Sequence, residues 1–231
     1  MTLMLAIDTA TPRVAVAIGE DGRVLGSVYL SARRRHAEAL VPAIAYLCEQ
    51  TGVELRQLGA VAVGVGPGLF TGLRVGVTTA KIMGQALEVP VVGVSSLDLV
   101  AHPLRFGGQM IAAVLDARRH EVFHARYRPV SGGVQLVTEY RVGPAVELVA
   151  ELEAGGEDVV LAGDGVASNR AAFGALERAV DAGREFEAPS ATALVEIADG
   201  RVGREEFSAP WDVAPLYLRA SDAELAWGNR R

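Results

Sequence analysis

Apolar residues along this chain fall into two rhythms that alternate in a fixed order. Leu3 to Asp8 is a continuous apolar run closed by an acid, while Arg13 to Gly19 and Arg23 to Leu30 alternate apolar and polar positions on either side of Glu20-Asp21-Gly22. That pattern predicts a buried strand followed by a two-stranded hairpin. The period then lengthens. Leu40, Ile44 and Leu47 recur at helical spacing within His36 to Glu49, Val41 and Cys48 widen the face, and Pro42 implies either a helix start near Ala39 or a kink. Ala60 to Val65 reads as a short buried strand, residues 71–87 as an apolar helix that Thr71 would cap, and Val89 to Val94 as another strand before a short helix ending at Val100.

His102-Pro103 to Gly107-Gly108 has the composition of a boundary, and the same order begins again behind it. Met110 to Leu115 is an apolar strand ending at Asp116, as the first ended at Asp8. Glu121 to Tyr127 and Val134 to Val142 follow as strands joined at Ser131-Gly132-Gly133. Residues 144–153 predict a helix, Asp158 to Ala162 a strand running into Gly163-Asp164-Gly165, Ser168 to Ala182 a helix, and Ala191 to Ala198 the start of another. Ser208 to Arg231, with Pro210, Trp211, Pro215 and Tyr217, reads as an extended tail docking back on the body. The chain is thus a duplicated β-β-β-α-β-α-β unit: an α/β protein with mixed sheets flanked by helices. Its units are 1–101 and a smaller 108–207, with the tail at 208–231.

The 231 residues are 50% hydrophobic and 22% charged, enough to bury a core, and the net charge of −6 opposes strong nucleic-acid binding by this chain alone. Lys81 is the only lysine, and Arg33-Arg34-Arg35 reads as a solvated basic turn. Cys48 is the only cysteine, so no internal disulfide is possible, and its place beside Ile44 makes it a small hydrophobe rather than a nucleophile. The first residues lack a signal-peptide pattern and no run approaches the ~18 apolar residues of a membrane span, which points to a cytoplasmic protein.

Gly64-Val65-Gly66-Pro67-Gly68-Leu69-Phe70-Thr71-Gly72 joins a strand to a helix as nucleotide loops do, yet it fits neither common pattern. Leu69 stands where a dinucleotide fingerprint needs glycine, and no Gly-Lys-Ser/Thr follows. In the helix behind it, Gly72, Gly76, Ala80 and Gly84 place one small residue on every turn of a single stripe. Such a stripe admits a close neighbour, within its own domain or across a subunit interface.

Four stretches carry a family resemblance: Leu5-Ala6-Ile7-Asp8-Thr9-Ala10-Thr11, His36-Ala37-Glu38-x-Leu40-x-Pro42, Gly66-Pro67-Gly68-x-Phe70-Thr71-Gly72-Leu73-Arg74-Val75-Gly76, and Asp116-Ala117-Arg118-Arg119. With the duplicated unit, they resemble the actin, Hsp70 and sugar-kinase (ASKHA) superfamily, and within it the bacterial TsaB (YeaZ) family. The resemblance is dense over residues 4–100 and architectural beyond residue 127. It implies a role in forming N6-threonylcarbamoyladenosine on tRNA, as a non-catalytic scaffold that pairs with the catalytic subunit TsaD and is joined by the ATPase TsaE. It further implies that the chain needs no cofactor, that ATP, magnesium and metal belong to partner subunits, that tRNA is met only within the complex, that the chain alone forms a homodimer, and that no membrane is involved. The partner-binding residues expected from it lie on the two first-domain helices: His36, Leu40, Ile44 and Leu47, and Gly72, Leu73, Gly76, Val77, Ala80 and Gly84.

The competing readings are chemical. Phosphate-transferring members of the superfamily use Asp-x-Gly-x-Thr/Ser after the first strand; here the turn is Asp8-Thr9-Ala10-Thr11, with Ala10 in the glycine's place. A nucleotide-dependent phosphotransferase or ATPase would use Asp8, Thr9, Thr11, Gly66 and Gly68, with Asp164 pairing Asp8 around a divalent ion; the preferred reading has both acids capping turns. TsaD-like proteins hold metal through His-x-x-x-His, and Leu40 replaces the second histidine after His36, which leaves His36 a surface or interface residue. His120-Glu121-Val122-Phe123-His124 matches the zinc-peptidase pattern, which needs a helix to bring the imidazoles within roughly 6 Å. The β-branched and aromatic neighbours predict a strand instead, where the two would stand about 13 Å apart.

Overall fold

The computed structural model describes residues 2–32 and 35–219; Arg33, Arg34 and residues 220–231, on which part of the basic-turn and tail readings falls, lie outside the described residues. The first lobe is built on a five-stranded sheet. Strand β1 (Leu3–Asp8) lies at its middle, β2 (Arg13–Glu20) and β3 (Arg23–Ser31) run antiparallel on one side, and β4 (Ala60–Gly66) and β5 (Val91–Ser95) run parallel on the other. Because side chains alternate along a strand, β1 serves two cores. Leu5 and Ile7 pack with Val14, Val16 and Ile18 against helix α1 (His36–Thr51). Met4 and Ala6 face the other way, into a layer of small residues.

Helix α2 (Phe70–Leu87) covers β4 on the α1 side of the sheet, with Val77 and Ala80 against Val61, Val63 and Val91. It begins one residue before Thr71. Its cap position is Leu69, in extended backbone, and no side chain accepts from its first turn, so Thr71 is not the cap. Helix α1 starts at His36 and carries Pro42 inside, on its exposed side, where solvent can reach the carbonyl that proline leaves without a donor.

A short helix, α3 (Ser96–Ala101), leads into the second lobe and packs Leu97, Val100 and Ala101 on its sheet. The central strand there is β6 (Met110–Arg118), with β7 (Glu121–Val130) antiparallel beside it. The single strand expected over Val134 to Val142 is two: β8 (Gly133–Leu136) pairs with the far half of β7 and β9 (Arg141–Pro144) with its near half. Thr138, between them, accepts a hydrogen bond at Oγ1 from the Arg126 amide at 3.0 Å, so the chain steps along β7 rather than extending past it.

Helix α4 (Ala145–Gly155) and strand β10 (Val159–Ala162) follow. The helix expected over Ser168 to Ala182 is replaced by two short ones, α5 (Asp164–Ser168) and α6 (Arg170–Phe173), and a strand, β11 (Ala179–Asp181), parallel to β10. Asn169 breaks the run by turning its Nδ2 back onto the Gly165 carbonyl, and Gly174 ends the second piece. Pairing with the edge of β10 then outweighs helix propensity.

The last helix, α7 (Ala191–Gly203), crosses back to the first lobe, where Ala191, Ala193, Leu194, Val195 and Ala198 fill the small-residue face of its sheet. The second unit therefore does not extend to residue 207; its own sheet is complete by β11. The tail continues along the first lobe. Ser208 pairs with Val91, Lys81 Nζ donates to the carbonyls of Trp211 at 2.9 Å and Val213 at 3.0 Å, and the Leu216 amide donates to the Val65 carbonyl at 2.7 Å.

The small stripe of α2 faces inward. A Cβ at Gly72 would fall on the Thr9 carbonyl, one at Gly76 on Thr9 Oγ1, and one at Gly84 on Val91. The stripe lets the helix sit on the β1–β2 turn, and Thr9 Oγ1 donates to the Gly72 carbonyl at 2.8 Å across that contact. Gly76→Ala is expected to destabilise the fold by about 1–3 kcal/mol through overpacking. Gly155→Ala, with open space around its Cβ, is expected to leave stability unchanged or slightly raised. Urea unfolding midpoints of the two variants check the contrast.

Candidate functional site

Asp8 ends β1 almost fully buried, at 1% exposure, and is held by its own loop system. Its Oδ1 accepts the Ala10 amide at 2.9 Å, and its Oδ2 accepts the Ser96 hydroxyl at 2.7 Å, while Ser96 Oγ in turn accepts the Gly66 amide at 3.2 Å. Burial pushes the carboxyl up to about 6, against the lowering effect of those two donors. Thr9, Ala10 and Thr11 are buried with it, because Gly68 and Gly72 bring the α2 loop directly onto them. The Leu69 amide donates to the Ala10 carbonyl at 2.7 Å.

A phosphate loop needs amides open to solvent. Here Asp8, Thr9 and Thr11 lie with Gly66 in a closed internal joint, while Gly68 is half-buried beside them. This packing leaves no open amides around Asp8, Thr9 and Thr11 for the phosphate that the nucleotide reading would place there.

Asp164 does not complete a pair with Asp8. It opens α5, where its Oδ1 accepts the Asp116 amide at 2.9 Å, and its charged neighbours are Asp116, Glu187 and Arg13. Burial pushes it up to about 7, with the Asp116 and Glu187 charges adding to the rise and the Asp116 amide and Arg13 opposing it. Glu187 and Arg13 join the two lobes at 3.0 Å. No group of three or more potential ligands among the described residues is arranged to hold a metal.

His120-Glu121-x-x-His124 lies in a β-hairpin: His120 is in the turn at φ 63°, and His124 is on β7, buried and paired with Val114. On a strand the two imidazoles cannot meet on one zinc.

The residues expected at a partner surface are corrected as well. His36, Leu40, Ile44 and Leu47 are the buried face of α1, and Gly72, Leu73, Gly76, Val77, Ala80 and Gly84 the buried face of α2. His36 is only 3% exposed, with Nε2 bonded to the Thr11 carbonyl at 2.8 Å. What these helices show to solvent is the opposite side. Val41 at 62%, Tyr46 at 53% and Ile82 at 61% exposure are large apolar side chains without cover. Between the helices runs an open groove lined by Ala37, Val41, Phe70, Arg74, Val75 and Thr78.

A second depression lies between the lobes. It holds about 450 Å³ and is walled by His36, by Gly68 to Gly72, by Asp116 to Arg118 with Phe123, and by Leu216 to Arg219 of the tail. Sequence reasoning singled out Arg118 only through a resemblance and missed Phe123, Leu216 and Leu218. The one sequence-level sign of this cleft was the pair of strand-terminal acids, which places both hairpins at the same edge.

Comparison with known proteins agrees with this architecture. The family model TsaD, tRNA N6-adenosine threonylcarbamoyltransferase, matches residues 24–227. An uncharacterized protein of Mycobacterium tuberculosis is 38% identical over 229 residues, covering 97% of this chain and 95% of that one. The tRNA threonylcarbamoyladenosine biosynthesis protein TsaB of Escherichia coli is 35% identical over 133 residues, covering 57% of each chain. The solved structure of YeaZ from Pseudomonas aeruginosa superposes with a TM-score of 0.82 at 32% identity, covering 94% of this chain and all of that one.

The fold and the family model define a two-lobed α/β protein related to the threonylcarbamoyltransferases of tRNA modification. Within that class the chain belongs to the TsaB (YeaZ) family. No helix among the described residues is long and apolar enough to cross a membrane.

The Asp164 environment gives a pH dependence. Its carboxyl titrates near 7 in the fold against 3.8 when unperturbed, so the folded state favours the protonated form. The penalty on the charged form is absent below about pH 4, grows to about pH 7 and is constant above, where it costs at most about 4 kcal/mol. Asp164→Asn keeps the acceptor for the Asp116 amide. It is expected to raise stability above pH 7 and to change it little at pH 4, as read from denaturant unfolding at the two pH values.

Proposed function

We propose that this chain is a non-catalytic partner subunit for threonylcarbamoyl transfer to the tRNA adenosine beside the anticodon. It docks a TsaD-like catalytic subunit with the outer faces of α1 and α2, and the pair then recruits a TsaE-like ATPase. The observation that carries the reading is the contrast between two neighbouring parts of the first lobe. The turn at Asp8 is sealed beneath Gly68 and Gly72, while the helices beside it expose Val41, Tyr46 and Ile82. A joint of that kind favours rigidity over catalysis, and uncovered apolar side chains flanking a groove favour a helical partner.

In this reading ATP, magnesium and metal are supplied and used by the partner subunits, and tRNA is met only within the assembly. Without its partner the same face pairs two copies of this chain. The contact residues differ from a stripe drawn on small residues: Ala37, Val41, Tyr46, Thr78 and Ile82 do the docking, and the buried stripe positions the helices that carry them.

The test is reconstituted transfer to tRNA with the partner proteins, with modified adenosine read by mass spectrometry and one reaction lacking this chain. Val41→Glu and Ile82→Glu sit on exposed positions, where stability is expected to stay within about 0.5 kcal/mol. Each is expected to abolish co-elution with the TsaD-like subunit and to cut product at least about tenfold, a loss of 1.4 kcal/mol or more in association. Full modification without this chain, or undiminished modification by both variants, would overturn the proposal; magnesium-dependent ATP hydrolysis by the chain alone would then be the activity to measure.

A further inference from the structure

The groove between α1 and α2 is apolar or neutral along its whole wall except at one residue, Arg74. This arginine is exposed to solvent and pairs with no acid among the described residues. It is nevertheless held. Its guanidinium carbon lies 3.9 Å from the centroid of the Phe70 ring, and its Nε donates to the Tyr217 hydroxyl at 3.4 Å. The Phe70 and Tyr217 rings are themselves in contact, with centroids 5.1 Å apart and planes tilted by 33°. Stacking and one long hydrogen bond set the plane of the fork, while both terminal nitrogens have no acceptor among the described residues.

Tyr217 comes from the tail, 143 residues further along the chain, and the backbone around it is pinned. Lys81 Nζ holds the Val213 carbonyl at 3.0 Å, and the Leu216 amide donates to the Val65 carbonyl at 2.7 Å. Beyond it, Leu218 packs on the core of the second lobe, and Arg219 donates to the Ala117 carbonyl at 2.9 Å. The tail therefore delivers a fixed, 43% exposed tyrosine to the edge of α2, and its hydroxyl accepts from Arg74.

Covering this surface with a partner raises a problem of charge. A cation taken out of water beside an apolar groove is unfavourable unless the covering surface brings an anion with it. A lysine could swing its flexible stem out to solvent. An arginine laid on Phe70 and tied to Tyr217 escapes only by giving up both contacts. Its two free terminal nitrogens form the fork that a carboxylate accepts in bidentate geometry. The pattern on this side thus defines the pattern that fits it: an apolar helix face carrying one acid.

We propose that Arg74 is a preset anchor for a carboxylate on an otherwise apolar helix of the TsaD-like subunit, and that Tyr217 is a positioning residue that presents it. The anchor rests on the scaffold reading, and it gives the partner's face a charge and the tail a role.

The test is titration calorimetry of the full chain against the TsaD-like subunit, without tRNA, at about 50 and 500 mM salt. At the lower salt, Arg74→Ala is expected to weaken association about tenfold and Arg74→Glu at least about thirtyfold. Arg74→Lys keeps the charge without the stack or the fork, and is expected to fall between Arg74→Ala and the native chain. Native association is expected to weaken at the higher salt, and Arg74→Ala to lose most of that dependence, which a merely structural role would not produce. Tyr217→Ala is expected to weaken association at least about threefold, and Tyr217→Phe, which keeps the ring contact, to retain most of the affinity.

Undiminished affinity in Arg74→Glu would overturn the anchor and leave the scaffold reading intact. So would a salt dependence that Arg74→Ala leaves unchanged. Loss of self-pairing in Arg74→Glu with the heteromeric complex unaffected would place the carboxylate on a second copy of this chain and overturn the proposal as well. Absence of any complex between the native proteins at either salt would overturn the scaffold reading, and the anchor would fall with it.

Discussion

Most of the first lobe depends on one buried carboxylate. Asp8 accepts from Ala10 within its own turn and from Ser96 at the start of α3, and Ser96 accepts from Gly66 in the loop before α2. Three segments distant in sequence are therefore fixed by one side chain. Gly64 makes room for it, since a Cβ there would collide with the carboxylate itself. The hydroxyl of Ser96 has a single proton and spends it on Asp8, so the chain of donors runs one way only, from Gly66 to Asp8. An isosteric amide at position 8 would turn a donor toward Ser96 Oγ or displace the Ala10 amide, and a buried polar group would lose its partner either way. The acid is thereby a structural joint.

That joint explains the helices. A stripe of small residues lowers helix propensity, and its cost has to be recovered by close packing. Here the recovery is inside the lobe: Gly72 and Gly76 let α2 settle on Thr9, and Gly68 lets the loop settle on Ala10. Because the small side of α2 and the aliphatic side of α1 are both consumed by the sheet, only their outer sides remain for another molecule. Val41, Tyr46 and Ile82 stand there without any intramolecular reason for their size.

The sequence makes the strands that begin each unit legible because β1 and β6 are continuous apolar runs ended by an acid, and the hairpin after each is marked by alternation. It makes the existence of α1, α2, α4 and α7 legible through their period. Orientation is another matter. Periodicity shows that Leu40, Ile44 and Leu47 share a face, and small residues show that Gly72, Gly76 and Ala80 share another, but neither says whether the neighbour is the chain's own sheet or a second protein. The long helix read over Ser168 to Ala182 failed where Asn169 back-bonds to Gly165 and where β10 offers an edge to Ala179, both tertiary facts. The return of α7 to the first lobe was hidden for the same reason. Its alanines fit a sheet face lined by Ala6, Ala15, Ala17 and Ala62, and matching surfaces of that kind are visible only once both are folded. Of the cleft, the strand-terminal acids and the hairpin arginines were legible as residues, while the apolar wall of Phe123, Leu216 and Leu218 was not, because it exists only once the tail lies across both lobes.

The two lobes are tied at several independent places, and the ties differ in kind. Arg13 pairs with Glu187 across the cleft, α3 and α7 each belong to one lobe by sequence position and pack on the other, and the tail bonds to Lys81 and Val65 before Arg219 reaches Glu121 and the Ala117 carbonyl of the second lobe. Lobe opening would have to break a salt bridge, strip α7 from an alanine-lined sheet and lift a strand-like tail together. Exposed ion pairs alone offer little resistance, of order 1 kcal/mol or less, so the decisive tie is the apolar one made by α7. A two-lobed fold held shut in this way has little freedom to open and close. It is well suited to keeping the outer faces of α1 and α2 in one fixed relation while a small cleft between the lobes stays formed.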